Sequence, residues 1–163
     1  MTSALIVRVP EAESAVRPWS ARPDVPAHVT VLHPFLPAAR LDADVLSGLS
    51  ELIGAHRKFD VRFATCGRFP GVLHLLPDPA APFLALTRAV AERWPEAPPF
   101  AGAFTLDELV AHLTVAESPD PAVLAEAEAA VTPLLPIHSR VAAVDLLVHD
   151  GERWQPYASF PLH

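Results

Sequence analysis

Ala27-His28-Val29-Thr30-Val31 returns downstream as Ala111-His112-Leu113-Thr114-Val115. The β-branched and bulky apolar residues of both pentapeptides favour strands. Residues i and i+2 of a strand share a face. His28 and Thr30 therefore point one way, and Val29 and Val31 the other. The same holds for His112 and Thr114 against Leu113 and Val115. Each strand thus offers one imidazole and one hydroxyl on the face opposite its apolar anchors. Two such strands side by side would gather two imidazoles and two hydroxyls into one site.

The remainder of the chain repeats at the same spacing. His28 and His112 lie 84 positions apart, and that shift also carries Gly67 onto Gly151 and Pro77 onto Pro161. The elements recur as well. The first histidine strand is followed by a helix over 42–56, a strand over 58–66, a turn at Gly67-Arg68-Phe69-Pro70-Gly71 and a returning strand over 72–76. The second, over 109–116, is followed by a helix opened by Pro119-Asp120-Pro121 and running to Val131. A single long strand over 137–149 comes next, then the Asp150-Gly151-Glu152 hairpin turn and a closing strand over 154–160. The two helices are out of step by several positions. A strand over 4–9 and a helix over 82–94 complete the pattern. This reads as one domain over 1–163 made of two duplicated lobes, each βαββ with one more element in front. Two such lobes facing each other across a pseudo-twofold axis would place the pentapeptides in the cleft between them.

Composition narrows the partners. The chain has 163 residues, 51% hydrophobic and 19% charged, so it can bury a core. A net charge of −7 argues against tight binding to long nucleic acid, which needs a broad basic surface. It leaves room for a small phosphorylated substrate held by a few local arginines. Cys66 is the only cysteine, which rules out an intrachain disulfide and reads as a buried, inert thiol. The N-terminus lacks the basic start and long apolar run of a signal peptide, and no stretch approaches a membrane span. The expectation is a cytoplasmic monomer without membrane contact.

Two histidines near a neutral pKa can divide an acid-base task. One takes a proton from the attacking water or hydroxyl, and the other gives one to the leaving oxygen. The pair suits a phosphodiester, whose alkoxide leaves poorly without protonation. The two threonine hydroxyls can donate to the non-bridging phosphate oxygens and stabilise the charge that builds there. Neither a metal nor another cofactor is required, and no His, Cys or carboxylate spacing of a metal-site type accompanies the histidines.

With both motifs in view, the chain resembles the two-histidine (2H) phosphoesterase superfamily, and within it the bacterial 2′-5′ RNA ligase-like branch. The resemblance rests on the paired His-x-Thr motifs and on Pro26-Ala27-His28-Val29-Thr30-Val31-Leu32-His33-Pro34-Phe35. It implies an α+β, bilobal fold of two antiparallel β-sheets with outer helices and a central cleft. It implies hydrolysis of 2′,3′-cyclic phosphates, or cleavage and sometimes joining of 2′-5′ linkages, in a nucleotide or a short RNA end. It places catalytic roles on His28 and His112 and phosphate-binding roles on Thr30 and Thr114. His112 as base and His28 as acid is the direction favoured for hydrolysis. The chain departs from the family in having His33 where Tyr is frequent, and Phe100 and Ala101 where Tyr and Gly are frequent.

Around the motifs, Arg22 and Arg68 are candidate substrate contacts or solvated charges. Phe35 and Phe100 are candidates to stack on a base or to pack in the core. His74 reads equally as a core histidine or a cleft wall. His33, by strand parity, faces away from His28, which favours a core or rim position. Trp19 reads as a packing residue. A non-catalytic nucleotide- or RNA-binding module that keeps the cleft is the competing function. A metal site built on the histidines is a third.

Overall fold

The computed structural model describes residues 1–163. Eight strands carry the architecture: β1 (Ser3–Arg8), β2 (His28–Leu32), β3 (Phe59–Phe69), β4 (Val72–Asp78), β5 (Leu113–Glu117), β6 (Ile137–Val141), β7 (Ala143–His149) and β8 (Trp154–Pro161). Four helices join them: α1 (Glu13–Val16), α2 (Ala43–Gly54), α3 (Ala81–Arg93) and α4 (Pro121–Val131). The fold is α+β, and all strand pairs are antiparallel in the order β6-β3-β4-β5-β2-β1-β7-β8. The two histidine strands are the innermost pair. They share one bridged pair, Val29 with Leu113, so two four-stranded halves meet at a narrow seam. No helix is long and apolar enough to cross a membrane.

Local chemistry explains the helix ends. The Asp42 carboxylate accepts the Val45 N–H at 2.9 Å and Asp120 accepts that of Ala122 at 2.9 Å, so each Asp caps its helix from outside it. Pro121 takes the first position of α4, where no N–H is needed. Val29, Val31, Leu113 and Val115 are buried at 3% exposure or less, which seats the anchor face of both histidine strands in the core. The buried Thr87 hydroxyl donates to the Val31 carbonyl at 2.6 Å and ties α3 onto β2.

The segment 137–149 is two strands rather than one. It breaks at Ala142, because β6 pairs with β3 at one edge while β7 pairs with β1 in the other half. The lobes are also not successive stretches of chain. One half holds β3, β4, β5 and β6, and the other holds β1, β2, β7 and β8. At the 84-residue shift β4 corresponds to β8, yet β4 lies beside β5 whereas β8 lies at an edge. The reason is the N-terminal strand. β1 takes the place between β2 and β7, so β8 turns outward. No such strand precedes β5, so β4 fills the inner place and β6 covers the edge.

Candidate functional site

The register at the seam sets the site. Val29 faces Leu113, so one step each way puts His28 opposite Thr114 and Thr30 opposite His112. Each imidazole lies across from the hydroxyl of the other motif, within the reach of directly opposed side chains. All four line one cleft of about 290 Å³.

Both rings are held alike. His28 Nδ1 lies 2.7 Å from the Pro26 carbonyl oxygen and His112 Nδ1 lies 2.8 Å from that of Val110. A carbonyl only accepts, so Nδ1 carries the proton in each ring. Nε2 is then the acceptor in both neutral rings. The surroundings differ, however. Ala27, just before His28, is pinned twice: its N–H donates to Glu13 Oε2 at 2.9 Å, and its carbonyl accepts the Val9 N–H at 2.8 Å. Burial pushes the His28 pKa below the ordinary value of 6.5, helped by the charges of Arg22 and His112 and opposed by the Pro26 carbonyl and Glu13.

The remaining sequence candidates separate clearly. Arg22 and Phe100 line the cleft with the motif residues. No carboxylate pairs with Arg22. Phe35 does not reach the cleft; it is 4% exposed and packs edge-on against Trp94 at 5.4 Å. Arg68 is outside the lining and pairs with Glu128 at 3.2 Å, because its strand lies two places from the seam. His74 is buried at 2% exposure behind His112, with ring centroids 5.2 Å apart, and does not line the cleft. His33 does line it, despite its parity, because β2 ends at Leu32 and the chain turns there. Burial, with Arg22 second, lowers its pKa.

Sequence reasoning missed three contributors. Trp19 and Trp154 line the cleft, and Phe69 lies edge-on to His112 at 5.0 Å. Trp154 comes from the far end of the chain, and no local pattern marks it. No group of three or more His, Cys, Asp or Glu is arranged so that it could hold a metal ion.

Known structures share this architecture. TT0787 of Thermus thermophilus aligns with a TM-score of 0.67 at 22% identity, covering 99% of this chain and 97% of that one. E. coli LigT, solved in complex with 3′-AMP, aligns with a TM-score of 0.64 at 17% identity and the same coverage. The same protein in complex with ATP aligns at 0.63 and 16% identity, covering 99% and 97%. At these identities the likeness speaks for the fold. No curated protein matches the sequence. The model of the 2′-5′ RNA ligase superfamily matches residues 8–153, through both motifs and nearly the whole chain, and the protein belongs to that family.

Proposed function

We propose that the protein is a metal-independent phosphodiesterase acting on a 2′,3′-cyclic phosphate or a 2′-5′ linkage of a nucleotide or short RNA end. The supporting observation is the crossed arrangement of His28, Thr114, His112 and Thr30 in one cleft, with both Nδ1 atoms committed to carbonyls. Thr30 and Thr114 donate to the non-bridging oxygens. His112 Nε2 takes a proton from water as the water oxygen attacks phosphorus. His28 Nε2 gives a proton to the ribose oxygen as the P–O bond breaks. Solvent then restores both rings.

His28 suits the acid role once substrate is present. In the free protein burial favours its neutral form. A phosphate anion beside a desolvated imidazole favours the charged form strongly, because the local dielectric is low. His28 then takes up a proton as the substrate binds. Nucleotide complexes of E. coli LigT, with 3′-AMP and ATP, favour the same ligand class for this cleft.

The test is a panel of 2′,3′-cyclic mononucleotides and 2′-5′ dinucleotides with and without EDTA. Turnover is expected to survive the chelator. His28→Ala and His112→Ala are each expected to lower kcat/KM by roughly 10²- to 10⁴-fold with the fold intact. Tight nucleotide binding with no turnover across the panel would instead favour a binding module.

A further inference from the structure

β1 and β4 hold equivalent places in the sheet, one beside each histidine strand, but only one side of the catalytic quartet is open. Thr30 pairs with Ile6 on β1, and Thr114 pairs with His74 on β4. On the β4 side the Phe69 ring lies tilted against His74, with centroids 4.2 Å apart, and meets His112 edge-on at 5.0 Å. Those rings plug that side. On the β1 side Ala4, Ile6 and Leu147 form an apolar floor, and Trp19, Arg22 and Trp154 rise around it.

This open side is built to present aromatic faces. His33 sits edge-on to Trp154 at 5.6 Å, and its carbonyl accepts the Phe100 N–H at 2.8 Å. The Trp154 backbone N–H donates to Asp24 Oδ2 at 2.7 Å, which ties the start of β8 to the loop carrying Arg22. Phe100 and Ala101 both adopt left-handed backbone, with φ of 51° and 55°. Such conformations persist in non-glycine residues only where the surroundings enforce them, and they gather at ligand sites. Here the strain holds a ring that stays 39% exposed at the cleft, so core packing is not what it serves.

We propose that Trp154 and Phe100, with Arg22 beside them, form a subsite for one nucleobase, and that the plugged β4 side leaves no second one. The inference rests on the phosphodiesterase reading and narrows it. The substrate is a terminal nucleotide, such as a 2′,3′-cyclic end, with a single base gripped. A 2′-5′ linkage gripped by the bases on both sides does not fit. Flat aromatic walls suit a base, which has a π-face whatever its identity. The unpaired guanidinium suits an anion joined to it.

Calorimetric binding tests this independently of turnover, with inorganic phosphate, 3′-AMP and a 2′-5′ diadenosine as probes. For the wild type, 3′-AMP is expected to bind at least about 10-fold more tightly than phosphate. The dinucleotide should gain nothing further over 3′-AMP. Trp154→Ala should remove most of the excess while leaving phosphate affinity unchanged. Phe100→Ala, at an exposed position that spares the core, should remove part of it. The subsite is overturned if 3′-AMP binds no better than phosphate, or if both variants keep the excess. One-sidedness is overturned if the dinucleotide binds 10-fold more tightly than 3′-AMP. Failure of catalysis alone would leave these affinities in place and would count against the phosphodiesterase reading only.

Discussion

His28 and His112 make the same hydrogen bond, yet only His28 is pressed into the protein beside a pinned Ala27. That difference separates two rings that the sequence presents as twins. Burial lowers the His28 pKa from 6.5, so in the free protein at neutral pH the ring is largely uncharged. An anion in the cleft reverses the balance, and binding therefore draws a proton from solvent. Calorimetry with sulfate, an anion that does not titrate near neutrality, in buffers of different ionisation enthalpy reads this directly. Proton uptake is expected in the wild type at pH 7 and should be lost in His28→Gln. Equal uptake in both proteins would place the proton elsewhere. Strand parity made the facing of His28, Thr30, His112 and Thr114 legible from sequence. The carbonyls of Pro26 and Val110, which choose the tautomer, were not legible, because backbone hydrogen bonding just ahead of a strand leaves no residue signature.

The β3–β4 hairpin shows what an element adds to its residues. Gly67 pairs with His74, and a Cβ at Gly67 would collide with the His74 ring. Glycine is needed there for space rather than for backbone freedom. The internal repeat marks Gly67 only as the equivalent of the hairpin Gly151, whereas β3 runs on to Phe69 and the turn falls at Pro70-Gly71. Neither ring nitrogen of His74 has a partner, and burial, with His112 second, pushes its pKa down to about 4. Between pH 6.5 and 4 the unfolded chain takes a proton at this position that the folded chain refuses. Stability therefore falls as pH falls through that window, by about 2 kcal/mol at pH 5 and about 3 kcal/mol at pH 4. His74→Leu is expected to flatten that slope in urea titrations, leaving the smaller share from His28 and His33, whose pKa values are lowered too. It should also be as stable as the wild type or more so at pH 7, since it removes two unpartnered polar atoms. An unchanged slope would mean that His74 is protonated in the fold.

At the scale of the molecule, duplication is visible in the sequence but the interleaving is not. A shift of 84 residues aligns the histidine strands and β3 with β7. It says nothing of β1, whose insertion between β2 and β7 sends β8 outward. The same blindness covers the cleft wall. Trp154 reaches the site because β7 and β8 return to the half that holds β2, a long-range pairing no local pattern encodes. What the interleaving achieves is a seam of one bridged pair, with an imidazole arriving from each half. If the two rings act together on one phosphorus atom, removing either should forfeit nearly everything both provide, because catalytic groups that work as a unit are not additive. The decisive measurement is kcat/KM for a 2′,3′-cyclic mononucleotide, in EDTA, for the wild type, His28→Ala, His112→Ala and the double variant. The expected result is that the double variant is no worse than the poorer single variant, within a few-fold. Two losses that multiply in full, or a double variant with wild-type turnover, would contradict it.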